Sequence, residues 1–200
     1  MISTLSPRDV NKNRLESFSD GVIAIILTIM VLELKVPKEP TLAALWQLWP
    51  VYVAYLLTFV NVFMMWVAHH DIVAATRTVD HAILFANGVL LFFMSLVPFA
   101  LAFSSETHWT EPVPVALYGV VMLAASGGFV GLRLAVGSHS RDARVVSHQR
   151  VQATTTLVLS CAFLGGSVAA FYAPRAALFL YALVPLFRIG QMFARGHARA

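Results

Sequence analysis

Six apolar runs, each about as long as a bilayer is thick, follow one another along these 200 residues, at roughly 16–36, 44–69, 80–104, 112–136, 148–173 and 175–194. At ~1.5 Å of rise per helical residue, about 20 residues cross ~30 Å of hydrocarbon, so each run fits one crossing. The runs are apolar at odd and even positions alike, which excludes the period-two alternation of an outer-membrane barrel. Charged residues make up only 12% of the chain and mean hydropathy is +0.75, far from the composition of a soluble domain. The expected fold is an all-α integral membrane protein with six transmembrane helices.

Short connections between the runs leave no stretch for a separate soluble domain, so residues 1–200 are expected to form one membrane domain. Polar, charged residues including Asp9, Glu16 and Asp20 mark the N-terminal edge of the first run, and no small-residue cleavage signal follows it, so a removable signal peptide is not expected. If the spans alternate, Arg8, Lys12, Arg14, Arg77, Arg133, Arg141, Arg144, Arg150, Arg188, Arg195 and Arg199 share the N-terminal side, while Lys35, Lys38 and Arg175 lie opposite. Excess Lys and Arg marks the cytoplasmic face, which places both termini in the cytoplasm of a multi-pass plasma-membrane protein. The pI of about 9.6 then reflects topology and attraction to anionic lipid heads. No nucleic-acid-binding module is recognisable, so no nucleic-acid partner is expected.

Enzymatic chemistry has no foothold: there is no His-Glu-x-x-His, no phosphate-cradling glycine loop and no G-x-S-x-G elbow. Cys161, the single cysteine, falls inside the fifth run and reads as a packing residue. His69, His70 and Asp71 are consecutive, and neighbours on a helix point about 100° apart, so they do not converge on one metal ion. No metal and no cofactor is expected.

Polar residues inside the runs are more informative, because each needs a partner where water is absent. Arg14, Phe18, Ser19 and Asp20 open the first run, Trp66 and His69 end the second, and Asn87 lies in the third. Counted from the N-terminal side these groups reach similar depth, and Trp66 and His69, three apart, share a helix face. Guanidinium, carboxylate, indole, imidazole and amide can satisfy one another there as an interhelical network. The competing reading makes Ser19 or Asp20 a helix cap, lets Arg14 snorkel to lipid phosphates and assigns Trp66 and His69 to an interfacial belt.

Arg14-Leu-Glu-Ser-Phe18-Ser19-Asp20-Gly21, and its continuation Ala24-Ile-Ile-Leu-Thr-Ile-Met-Val-Leu-Glu-Leu-Lys-Val-Pro37, resemble the bacterial branch of the transmembrane protein 175 potassium channels. Trp66 with His69 and His70, the stretch from Asp80 to Asn87, and Ser95-Leu-Val-Pro-Phe99 are similar to that family as well, so the likeness covers roughly residues 12–101. The resemblance implies a potassium channel in which the first helix lines a central pathway, Ile25 forms the bulky apolar constriction and Thr28 a hydroxyl layer. Because the chain carries half the helices of the doubled animal relatives, the resemblance implies a homotetramer that conducts K+.

Read from the residues alone, Ile25, Thr28 or Ile29, and Leu32 share one helical face. Rings of Ile25 and Leu32 would gate such a path by dewetting. Without the resemblance, the same stripe reads better as a lipid- or helix-facing surface. The filter Thr-Val-Gly-Tyr-Gly is missing, so any selectivity has to come from side-chain rings. A proton- or cation-coupled secondary transporter using Asp20 and His69 remains the alternative, although no inverted repeat is visible. Gly127 with Gly131, and Gly165-Gly166-Ser167, mark candidate close approaches between helices.

Overall fold

The computed structural model describes residues 12–76 and 78–197, with side chains described as far as Met192. Arg8, Arg77, Arg195 and Arg199, counted above for orientation, lie outside the described side chains. Every regular element among the described residues is helical. Helix α1 spans Lys12–Ile29 and tightens into a 3₁₀ turn over Met30–Glu33; then come α2 (Leu42–Gln47), α3 (Trp49–Ala74), α4 (His81–Ser95), α5 (Val97–Glu106), α6 (Pro112–His139), α7 (Ala143–Ala169) and α8 (Pro174–His197). This satisfies backbone polar groups within each segment, the only economical way for a lone segment to cross hydrocarbon.

Local chemistry sets the boundaries. Thr41 caps α2 by accepting from Ala44 N at 3.2 Å, Asp80 caps α4 through Ile83 N at 2.9 Å, and Asp142 caps α7 through Arg144 N at 2.8 Å. Proline occupies the first turn of α3, α5 and α6 and begins α8, where its missing N–H has no intrahelical partner to lose. Pro98 breaks the third apolar run at Leu96, so α4 and α5 are two halves of one bent span, His81–Glu106. Pro185 sits inside α8 without ending it.

Several boundaries differ from the sequence reading, among them the fifth run, where α7 spans Ala143–Ala169 in place of 148–173. The second run is divided, since Leu48 leaves helical geometry and Pro50 restarts the chain as α3. Helix α3 also continues past His70 to Ala74, and α1 begins at least four residues before the expected start, at Lys12. Five segments among the described residues are long and apolar enough to cross a membrane: Lys12–Glu33, Trp49–Ala74, His81–Glu106, Pro112–His139 and Ala143–Ala169. Helix α8 fills the sixth run but is not one of the five.

Helix α6 is the hub, packing against α3, α4, α5, α7 and α8. Its dominance follows from small residues: a Cβ added to Gly128 would lie 2.8 Å from Leu90 Cα, so α4 and α6 touch backbone to backbone there. Gly119 and Gly166 leave room for the Tyr181 ring, whose hydroxyl donates to Val115 O at 2.9 Å. Gly127 and Gly131, the expected GxxxG pair, have nothing within 4 Å; the close approach belongs to the neighbouring Gly128. Helix α1 lies at the margin, against α3, α4 and α5, with 28% of its span buried against 61% for α6.

Candidate functional site

Helix α1 has two chemically distinct faces. Leu15, Ser19, Ile23 and Ile26, followed by Met30, recur every three or four residues and are buried against the bundle. Turned away from them, Arg14, Phe18, Gly21, Ile25, Thr28 and Leu32 recur with the same spacing and are exposed. Phe18 is 64% exposed, Ile25 60% and Leu32 76%, with Ile29 at the margin of the stripe. An apolar stripe this continuous on an otherwise packed helix calls for lipid, another subunit or a pathway to cover it.

Polar contacts fasten the buried face. Ser19 lies inside the helix, seven residues after Lys12, so it is not a cap; its hydroxyl donates back to Leu15 O at 2.8 Å. The same oxygen accepts from Asn87 Nδ2 at 2.9 Å. With its amide nitrogen used in this way, Asn87 presents Oδ1 to His69 Nε2 at 2.8 Å. An amide oxygen only accepts, so Nε2 carries the proton and His69 is held in one tautomer, with Nδ1 buried and without a partner among the described residues. Ser19, His69 and Asn87 are all buried, which makes the chain α1–α4–α3 a dry interhelical link.

A second contact runs beside it. Asp20, one residue on and about 100° round the helix, accepts from Trp66 Nε1 at 2.8 Å. Trp66 in turn packs between Phe63 and His70, with ring centroids 5.7 Å and 6.3 Å away. The five groups Ser19, Asp20, Trp66, His69 and Asn87 therefore come together. Arg14 and Phe18 do not join them: both lie on the exposed stripe, because residues one position before Leu15 and Ser19 are turned about 100° from that pair.

Sequence reasoning missed part of the junction. Glu16 Oε1 is 3.5 Å from His70 Nδ1, and Lys12 Nζ donates to Ala74 O at 3.1 Å, so both belong to the same α1–α3 seam. Four-residue spacing from Lys12 to Glu16 to Asp20 was the available signal, a polar edge running along one side of the apolar helix. His69 and His70 point to different partners, Asn87 and Glu16. At the opposite end of the bundle Lys35, just after the 3₁₀ turn, pairs with Glu106 at the end of α5, and this raises the lysine above its ordinary value of 10.5.

On the exposed stripe, Thr28 Oγ1 lies 3.0 Å from both Ala24 O and Ile25 O. The hydroxyl proton is thereby committed to the helix backbone, which leaves the oxygen lone pairs free to accept. The stripe thus offers bulky apolar side chains at Ile25 and Leu32 with an acceptor oxygen at Thr28.

Comparison with known proteins places this geometry among relatives. Residues 14–98, from Arg14 to the Pro98 bend, match the family model described as "Endosomal/lysosomal potassium channel TMEM175". A potassium channel of Chryseobacterium sp. (strain P1-3) is 34% identical over 181 residues, covering 88% of this chain and 92% of that protein. The human endosomal/lysosomal proton channel TMEM175 is 31% identical over 103 residues, 46% of this chain but 20% of that protein. Among solved structures, the crystal structure of a lysosomal potassium-selective channel TMEM175 homolog from Chamaesiphon minutus superposes with a TM-score of 0.79 and 27% identity, covering 90% of this chain and 97% of that one.

Proposed function

The chain belongs to the TMEM175 family of ion channels, and from that premise we propose that it conducts K+ across the membrane through a path lined by the exposed stripe of α1. The observation that carries this reading is the stripe itself: the family match begins at Arg14, and the face of α1 from Phe18 to Leu32 is left bare by the other described residues. One bare face encloses nothing, so four copies with cyclic symmetry bring four α1 helices around an axis. In that homotetramer the single domain, residues 1–200, crosses the plasma membrane six times, α8 being the sixth crossing, and both termini are cytoplasmic.

Ile25 then forms the narrowest ring and Leu32 a second apolar layer. A ring of aliphatic side chains resists entry of a hydrated ion and closes by dewetting. Between the two, Thr28 turns an acceptor oxygen to the axis, where it replaces part of the ion's water shell. Selectivity arises from ring width and oxygen placement, since the chain has no Thr-Val-Gly-Tyr-Gly carbonyl filter. Ser19, Asp20, Trp66, His69 and Asn87 brace α1 from behind and take no part in contacting the ion, while Arg14 and Phe18 stand at the mouth of the path.

The test is current across a planar bilayer holding purified protein, with K+ on one side and Na+ on the other, for wild type and Ile25→Asn. Wild type gives a reversal potential favouring K+, and the variant, with a polar ring in place of a dry one, loses most of that preference. Silence from both, in protein shown to be folded and tetrameric, refutes the channel reading. The vertebrate relatives are named proton channels, which favours proton permeation as the second reading. A coupled route through Asp20 and His69 predicts flux that saturates and is abolished by Asp20→Asn, whereas a brace tolerates that change.

A further inference from the structure

A polar cavity of about 370 Å³ opens between α3, α6, α7 and α8, away from the α1 stripe. Arg133 of α6, His148 and Gln152 of α7, Arg188 and Gln191 of α8, and Asp71 of α3 line it. Arg133 is only 4% exposed and donates through Nη1 to the Gln149 amide oxygen at 2.9 Å, a neutral acceptor. Arg188 is half-buried, and its buried Nε has no hydrogen-bond partner among the described residues. Among the described residues that line the cavity, two guanidiniums stand with one carboxylate, Asp71.

An arginine with a buried, unsatisfied N–H at the edge of hydrocarbon is unfavourably placed unless an anion partners it. The depth agrees with a lipid phosphate. Arg133 stands six residues from the end of α6, which puts its Cα roughly 9 Å inside that helix end, within reach of the headgroup layer for a long side chain. The donors present are two guanidinium forks and two amides, which suit the several oxygens of a phosphate better than a single-atom anion. Met64 and Val67 form an apolar wall on the α3 side, where a glycerol backbone would rest.

We propose that this cavity binds a phosphate group, as the head of an anionic phospholipid or as the free ion, at the end of the bundle that carries the N-terminus of α1. Occupancy ties α3 to α6, α7 and α8 behind the helix that bears Trp66 and His69. Delipidated wild-type channel titrated with phosphatidylglycerol, in a phosphatidylcholine background and read by native mass spectrometry, retains bound phosphatidylglycerol. Arg188→Gln weakens it roughly tenfold, the equivalent of one charge-assisted hydrogen bond, and Arg188→Lys restores part of the loss. His148→Glu, at an exposed rim position where folding is not at stake, weakens binding as well. Displacement of the lipid by millimolar inorganic phosphate identifies the free ion as a ligand of the site; retention in its presence identifies the lipid. Equal phosphatidylglycerol retention by wild type, Arg188→Gln and His148→Glu, with no effect of phosphate, overturns the proposal.

Discussion

Replacing Asn87 by leucine removes the centre of the interhelical link while keeping the branched shape and number of side-chain heavy atoms, so no cavity opens and the lost polar contacts are the main contribution. Two hydrogen bonds disappear, to Ser19 at 2.9 Å and to His69 at 2.8 Å. Ser19 is little affected, because its hydroxyl still donates to Leu15 O. His69 is not so placed: its ring is fully buried and its Nε2–H is left without an acceptor. A stranded buried donor costs about 1–3 kcal/mol, while interhelical hydrogen bonds in membranes average only ~0.6 kcal/mol with a maximum near ~1.7. The expected loss is therefore about 2 kcal/mol, most of it from the imidazole. Reversible unfolding in mixed micelles, followed by circular dichroism, measures it for Asn87→Leu, His69→Leu and the double variant. If the donor is what suffers, the double variant is less destabilised than the sum of the singles by about 1 kcal/mol or more. Additivity within ~0.3 kcal/mol would refute the link as an energetic unit.

Three further outcomes are expected. Gly128→Ala drives a Cβ to within 2.8 Å of Leu90 Cα, and since backbone cannot yield, α4 and α6 must separate at a cost of about 1–3 kcal/mol in the same unfolding assay; Gly127→Ala, with open space around it, leaves the isolated chain's stability unchanged or raised by up to ~1 kcal/mol, and a loss of tetramer on size-exclusion chromatography would place Gly127 at a subunit contact. Asp20→Ala strands the Trp66 indole N–H and costs about 1–2 kcal/mol, whereas Asp20→Asn keeps an acceptor and costs less than half of that, with K+ current retained; equal damage from both would show that charge matters and not the bond. The Lys35–Glu106 pair stabilises while the lysine is charged, so its contribution is full below the ordinary lysine value of 10.5 and fades as pH rises through the raised folded value. Melting of wild type and Lys35→Met at rising pH should converge above that point, and a difference persisting there would assign the effect to something other than the ion pair. Both groups are exposed, so the difference at neutral pH is small and shrinks with added salt.

The helical architecture was legible because hydrocarbon leaves a chain few options: span-length apolar runs dictate helices, and five of the six runs meet the criteria for crossing among the described residues. Boundaries were less legible, since they depend on single residues. Pro50 restarts α3 and Pro98 bends the third span. At the far end of α3 the polar stretch His69-His70-Asp71 reads from hydropathy as the end of the span, yet no proline or glycine stops the helix there and it runs on to Ala74. The meeting of Ser19, Asp20, Trp66, His69 and Asn87 could be anticipated from depth alone, because polar groups at one level in a dry bundle have only each other. Arg14 could not be sorted by that rule. Depth says nothing about rotation, and one residue of offset turns a side chain by about 100°, from the brace to the bare stripe.

Rotation is also what the brace specifies best. Apolar packing of Leu15, Ile23, Ile26 and Met30 fixes which half of α1 faces inward, but aliphatic contacts are non-directional and tolerate small turns of the helix. Ser19 and Asp20 are consecutive, so they leave the axis about 100° apart, and each bonds a different helix: Ser19 to Asn87 on α4, Asp20 to Trp66 on α3. No single rotation of α1 can lengthen one of these bonds without straining the other. Slipping the helix by one residue would carry Ile25 about 100° from the stripe and break both at once. A pair of directional contacts on adjacent residues therefore converts a loosely oriented apolar helix into one whose outer face is fixed. In the proposed pathway such a hold has a direct consequence, because an aliphatic constriction changes bore with rotation of the helix that bears it.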